Sequence, residues 1–353
     1  MRILVTGGAG FVGSNLSLAF KRDNPGAEVI AADNLKRRGS ELNLLRLREA
    51  GVQFEHADIR DPSDIAALGP MDLLIECSAE PSVQAGYGGN PAYLIDTNLR
   101  GTLNCLEAAR THDATFVFLS TSRVYPIDLL RALPLETRCN RLVLPSGAAG
   151  PGWSEYGIAE DFPLTGHRSL YGTTKLSSEH FIEEYRAAFG LKAIINRCGV
   201  LAGPWQMGKV DQGFMSLWAA RHLYGGTLSY NGFGGHGHQV RDVLHVDDLY
   251  DLIALQLTKA EEATTGVWNA GGGANNATSL KELTDACSTR SGRSLGIACN
   301  PDTNPADIPW FVTDSRKVSR TFDWRPKRTL DDLLDNIFEW LEVQRATLEP
   351  LLR

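Results

Sequence analysis

The opening stretch MRILVTGGAGFVG, residues 1–13, runs from the apolar Ile3-Leu4-Val5 into a turn with glycine at 7, 10 and 13. The apolar run reads as a strand buried on both faces, and FVGSNLSLAFKRD, from Phe11, has helical periodicity. Gly7, Gly10 and Gly13 permit a tight turn, let backbone N–H groups approach a pyrophosphate, and let the helix pack on the strand. A plain glycine-rich connection is the alternative reading of such a turn. The next apolar run, EVIAAD at 28–33, decides against it by ending in an acid, Asp33, 20 positions past Gly13. A carboxylate there accepts both hydroxyls of an adenosine ribose and repels a 2′-phosphate, so NAD is expected in preference to NADP. Lys36, Arg37 and Arg38 follow, either as a solvated basic loop or as groups that weaken this preference. Asp58, in HADIRD, has two readings, a partner for the adenine amino group and a helix or turn cap.

Strand and helix patterns alternate through the first half. VQFEHAD (52–58), DLLIEC (72–77), TFVFLST (115–121) and KAIINRC (192–198) read as further buried strands, separated by helical stretches such as NPAYLIDTNLRGTLNCLEAARTH. This alternation predicts an α/β chain, a Rossmann-type doubly wound parallel sheet with helices on both sides. Past about 200 the pattern loosens, which predicts a smaller C-terminal α/β lobe. The expected division is 1–198, with 240–270 returning to it, and 199–239 with 271–353. A capped helix from Ser279, with Glu282 completing a capping box, and a helix over 329–347 are expected in the second part.

Across 353 residues, 43% are apolar and 22% charged, an ordinary globular balance. Lys+Arg 35 against Asp+Glu 42 leaves a net charge of −7, so no basic field exists to collect nucleic acid or acidic lipid, and neither partner is expected. The six cysteines (77, 105, 139, 198, 287, 299) show no C-x-x-C spacing and fit free thiols in a reducing compartment. The chain has no charged-then-apolar leader and no long apolar span, which points to the cytoplasm.

SLYGTTKLSSEHFIEEYRAAFG begins with Ser169 as an N-cap and stops at Gly190, with Tyr171 and Lys175 one helical turn apart on one face. An ammonium beside a phenol, aided by a positive nicotinamide ring, favours phenolate. Bringing a tyrosine from ~10 to ~7 requires roughly 4 kcal/mol of differential stabilisation. Such a tyrosine takes a proton from a secondary alcohol as its hydride leaves.

TGGAGFVG, DNL at 33–35, NLRGT at 98–102, STSRVY at 120–125, YGTTK at 171–175 and QVRD at 239–242 occur in this order across nearly the whole chain. In this the chain resembles the extended short-chain dehydrogenase/reductase family of nucleotide-sugar-modifying enzymes. The resemblance implies a catalytic set of Thr121, Tyr171 and Lys175, with Thr121 hydrogen-bonding the reacting sugar oxygen and Ser122 assisting. It implies NAD contacts from Gly7, Gly10, Phe11, Val12, Asp33, Asn34, Arg37, Asp58, Ile59, Ser78, Ala79, Asn98, Tyr171 and Lys175. For the substrate it implies Ser82, Ser122, Arg123, Arg197 and Arg241, with Arg241 a bidentate partner for the ligand pyrophosphate. Asn98 and Asn269 also read as backbone supports. His236, His238 and His245 lie in what matches the family's nucleotide-binding turn, so no metal is expected. The family also implies a homodimer or homotetramer through helices near 91–110 and 170–189.

Relatives that dehydrate sugars resemble T-D-E-V-Y where this chain has Thr121-Ser122-Arg123-Val124-Tyr125. Eliminating water needs an acid and a base, so Arg123 favours oxidation followed by reduction. Within the family, DNLKRRGSELN (33–43), AEPSV (79–83), LPLETR (133–138) and the long connection from Tyr125 to Tyr171 are most similar to the CDP-paratose/CDP-tyvelose 2-epimerases. Val200 stands where R-x-x-N-x-x-G-P would place asparagine, a residue those 2-epimerases also lack. The expectation is an NAD-dependent epimerase acting at C2 of a CDP-hexose. A C4 epimerase, or a dehydrogenase or dehydratase of a UDP-, GDP- or dTDP-sugar, is the nearest alternative, and a non-catalytic dinucleotide-binding regulator is the remote one. The connection, residues 127–165, reads as a lid or as a surface insertion.

Overall fold

Unbroken apolar runs have no wet face to offer, so they become stable only when covered on both sides. In the computed structural model, which describes residues 1–87, 89–209 and 212–353, seven strands form one sheet, most of them such runs; the edge strand Gln53–His56 stays partly exposed. The strands are β1 Arg2–Thr6, β2 Glu28–Asp33, β3 Gln53–His56, β4 Leu73–Glu76, β5 Thr115–Thr121, β6 Ala193–Cys198 and β7 Val267–Ala270. Their spatial order is β7-β6-β5-β4-β1-β2-β3, and every pairing is parallel. The helices Phe11–Asp23 and Val246–Thr258 contribute to the core on one face, where Leu16, Phe20, Leu249 and Ile253 meet Val5 and Ala31. Gly101–Thr111 and Leu170–Phe189 cover the other, where Leu106 and Ile182 meet Leu74 and Phe118. The doubly wound parallel sheet read from the sequence is thus the architecture found.

A second, mixed sheet joins Val200–Ala202, Val240–His245, Ala277–Ser279 and Trp310–Phe311. The helices Phe214–Tyr224, Leu280–Ser291 and Leu330–Val343 build its separate core around Trp218, Leu283 and Ile337. This corrects the expected division in two places. The strand Val240–His245 pairs with Val200–Ala202 and Ala277–Ser279, so the return to the large sheet begins only at Val246. Conversely, Val318, Phe322 and Trp324 leave the lobe and pack into the core of the large sheet, with Phe322 edge-on to Trp268 of β7. The capping box of Ser279 and Glu282 forms as read, whereas the last helix ends at Val343 and a separate one spans Arg345–Leu352.

Between Ala92 and Thr111 the helix passes through a π-type turn at Asp96–Arg100. The wide turn lets Asn98 reach back to the Glu80 backbone while Thr102 faces β4. Residues 127–165 form two short hairpins, Glu136–Arg138 with Arg141–Val143 and Trp153–Ser154 with Gly157–Ile158. Their apolar side chains join a core with Ala306, Ile308 and Trp310. Among the described residues no helix is long and apolar enough to cross a membrane, and all six cysteines are free.

Trp324 is 1% exposed and donates its Nε1–H to the Asp248 carbonyl at 3.1 Å. Trp324→Ala is expected to cost about 3–5 kcal/mol in urea unfolding. A loss below about 1 kcal/mol would mean that this C-terminal segment is not part of the main core.

Candidate active site

Parallel strands all point their carboxyl ends one way, and the loops after them enclose a cavity of about 1410 Å³. At its floor the β1 turn brings the helix Phe11–Asp23 against the strand. A Cβ on Gly13 would stand 2.1 Å from the Gly7 carbonyl oxygen, so only glycine permits the approach. Gly10 precedes the helix with no side-chain cap, leaving N-terminal N–H groups for an anion. Asp33 accepts from Ala9 N at 3.1 Å and Leu35 N at 2.8 Å, while burial raises its pKa. Gly7, Gly10, Phe11, Val12, Asp33, Asn34, Arg37, Ile59, Ser78 and Ala79 all border the cavity. Arg37 also reaches across it to the Met207 carbonyl at 3.2 Å and to Gln212. A glycine cradle ending in a carboxylate on the next strand fits a dinucleotide.

Three expected contacts belong elsewhere. Asp58 does not border this cavity: Arg60 holds its carboxylate at 2.9 and 2.6 Å, and Asn34 adds a bond at 3.0 Å. Those hydrogen bonds hold its pKa far below the usual carboxylate range, and the group acts as a turn cap. Asn98 is buried and bonds the Glu80 amide and carbonyl at 2.7 and 3.0 Å, so it supports the backbone that presents Ser78 and Ala79. Ser82 is turned inward, where its hydroxyl accepts from Gln84 N at 3.2 Å. Its neighbours Pro81, Val83 and Gln84 line the cavity instead.

Thr121, Tyr171 and Lys175 meet on one wall. Ser169 caps the helix, accepting from Gly172 N at 3.1 Å. A Cβ on Gly172 would lie 2.2 Å from the Arg123 carbonyl, so this glycine lets the helix abut the turn after β5. Burial pushes the Tyr171 phenol up to about 12, against the opposing pull of a Thr121 hydrogen bond and the Arg123 charge. The resting side chain is therefore a phenol. Lys175 lies one helical turn beyond Tyr171 on the same wall. Its Nζ stands 4.4 Å from the Phe118 ring centre, and its charge acts on buried Glu76, Cys77 and Cys198.

Close enough to Tyr171 to act on it through Arg123 is a charged cluster that periodicity gave no sign of. Asp307 stands 2.9 Å from Arg241 and 3.9 Å from Arg123. Arg241 also donates to the Ile308 carbonyl at 2.6 Å, and Arg123 to the Ala306 carbonyl at 3.4 Å. Burial lowers both guanidinium pKa values, that of Arg241 to about 10, and both remain cations. From the 127–165 segment, Arg131 donates to the carbonyls of Asn304, Pro305 and Asp307 at 2.9–3.2 Å. No described residue of 127–165 borders the cavity, so the segment braces the wall instead of covering the mouth.

Arg197 is also misplaced by the sequence reading. It lies outside the cavity lining, 5% exposed, and grips both oxygens of Glu179 at 2.7–3.1 Å. Burial opposes its charge, and the Glu179 hydrogen bonds outweigh that and raise its pKa. Its guanidinium also donates to the Tyr125 hydroxyl and the Glu160 carbonyl, and Ser120 hydrogen-bonds Glu179. Glu76, Glu80, Glu179 and Asp307 are among the charged groups of this region that sequence reasoning missed. A carboxyl closing an apolar strand was the available signal for Glu76.

A family model described as the NAD dependent epimerase/dehydratase family matches residues 3–271. CDP-paratose 2-epimerase of Salmonella typhi is 30% identical over 356 residues, which cover 96% of this chain and 99% of that protein. dTDP-glucose 4,6-dehydratase of Salmonella typhimurium is 28% identical, with coverages of 96% and 92%. The fold is similar to that of UDP-glucuronic acid 4-epimerase from Bacillus cereus in complex with UDP-glucuronic acid and NAD. There the TM-score is 0.79 at 25% identity, covering 97% of this chain and 99% of that one.

Arg197→Ala leaves Glu179 buried without its cation and is expected to cost about 3–5 kcal/mol in denaturant unfolding. A near-neutral effect on stability would return Arg197 to the list of ligand contacts.

Proposed function

The chain belongs to the NAD dependent epimerase/dehydratase family, and we propose that this NAD-dependent nucleotide-sugar epimerase inverts C2 of a CDP-hexose. The observation that carries this reading is the turn after β5, which sets a guanidinium, Arg123, in the field of Tyr171. Simple oxidation and re-reduction needs no acid at that point, whereas elimination of water does. The full-length similarity to a CDP-paratose 2-epimerase supports the choice of carbon and base.

The chemistry supplied by bound NAD is reversible hydride acceptance, and the cradle of Gly7, Gly10, Gly13 and Asp33 would hold it. With the positive ring of bound NAD and the Lys175 ammonium beside it, Tyr171 would lose its phenol proton to solvent; as phenolate it takes the proton of the sugar C2 hydroxyl and later returns it to the oxygen of the keto-sugar. Thr121 orients that oxygen, with Ser122 beside it, and Lys175 carries positive charge on the same wall. Arg241 takes the substrate diphosphate, for which Asp307 must give up its contact. Between oxidation and reduction the keto-sugar turns over within the cavity. The exposed rings of Phe181 and Phe189 on helix Leu170–Phe189 support association as a homodimer or homotetramer.

A second reading rests on Glu80, a cavity carboxylate whose charge also reaches Tyr171. It would supply an acid for dehydration, the activity named for another relative. Proton NMR of the enzyme with CDP-, UDP-, GDP- and dTDP-hexoses separates the two readings. Inversion at C2 of a CDP-sugar without added NAD is expected; loss of water, or inversion at C4, would overturn the assignment.

Tyr171→Phe is expected to lower kcat by about 10²–10⁴ while the thermal midpoint stays near wild type. A variant turning over at nearly the normal rate would remove this phenol from the proton transfer.

A further inference from the structure

One ionisable group at the site has no part in the scheme above. Glu76 closes β4, in the middle of the sheet, and is fully buried. Thr102 Oγ1 donates to its Oε1 at 2.8 Å, and Oε2 has no hydrogen-bond partner among the described residues. Register sets Glu76 beside Phe118 of β5, and the Lys175 ammonium stands 4.4 Å from the centre of that same ring. Lys175 is itself only 2% exposed. Both residues border the cavity.

A carboxylate alone in such a place would give up its charge, and so would an ammonium. Burial does push the Glu76 pKa up, and Lys175 and then Thr102 pull it back. The other titratable groups that feel Glu76 are Cys77 next to it and Cys105 on the helix Gly101–Thr111; burial and then the Glu76 charge raise both thiols. Cys198 senses Lys175, and Cys77 also senses the Asp33 charge. Lys175 is thus the cation on which Glu76 depends. The attraction acts through space, while Thr102 makes the direct hydrogen bond.

We propose that Glu76 is the buried counter-ion of Lys175, a positioning residue that keeps the ammonium charged and held against Phe118 on the wall that carries Tyr171. The catalytic consequence rests on the role given to Lys175 above; the pairing itself does not. Two like-placed neutral groups would fill the same space without fixing the charge.

The test is a double-mutant cycle in thermal midpoint on the full chain without ligand: wild type, Glu76→Gln, Lys175→Met and both together, at pH 8. Lys175→Met leaves Glu76 without a cation, so adding Glu76→Gln is expected to raise the midpoint above that of Lys175→Met alone. The recovery is expected to shrink on acidification, as Glu76 takes up a proton, which a purely steric role would not produce. Midpoint losses that simply add at pH 8 would overturn the pairing. Should Glu76→Gln fail to fold, Glu76→Asp decides: recovery of the fold by Asp supports a required charge, and failure of both overturns it. In turnover, Glu76→Gln is expected to lower kcat while KM stays near wild type, because Lys175 is no longer held by charge on the wall that carries Tyr171. An unchanged kcat would overturn the catalytic consequence, and a chain that inverts no sugar would leave the thermal cycle to decide the pairing.

Discussion

The buried pair of Glu179 and Arg197 is the contact on which the working wall of the cavity depends. Glu179 lies on the helix of Tyr171 and Lys175, one turn beyond Lys175, and Arg197 lies on β6. Their bonds at 2.7–3.1 Å fix that helix to the sheet, and Ser120 ties the same carboxylate to β5, next to Thr121. Arg197 then reaches Tyr125 and the Glu160 carbonyl, and Glu160 in turn accepts from the Asn269 amide at 2.7 Å. Desolvating two charges is costly, so the pair is a weak source of stability by comparison with apolar packing. What it does supply is registration: a helix free to slide would lose Thr121 from Tyr171.

The cavity walls are charged in opposite senses to the whole chain. The net charge is −7, yet Arg123 and Arg241 face the cavity with a single carboxylate, Asp307, between them. An anion can be held there without any basic field outside, since local donors and not net charge decide binding in a low-dielectric cleft. Under the sheet's carboxyl edge the same logic runs inward, with Glu76 answering Lys175.

Features set by local chain chemistry were legible in the sequence. The glycine turn, the six apolar strands, the capping box at Ser279 and the helical pairing of Tyr171 with Lys175 need only spacing and residue type. Whether a side chain points into the cavity or away from it was not legible, because tertiary packing decides that. Arg197 and Asp58 each sit at the end of a strand, where a ligand contact is plausible, and each is claimed by a neighbour at short range. The long connection between Tyr125 and Tyr171 illustrates the same limit. Its glycines, prolines and acids fit a lid as well as a surface insertion, and only its apolar contacts with Ala306, Ile308 and Trp310 reveal a brace.

That brace separates two kinds of sequence change. Arg131 holds three carbonyls of the loop that carries Asp307, and its own segment touches no part of the cavity. Drift within the hairpins can therefore retune how firmly the arginine pair is masked while every residue that meets the ligand stays the same. Two homologues with identical cavity linings need not share a preferred sugar, and comparing linings alone would miss the reason.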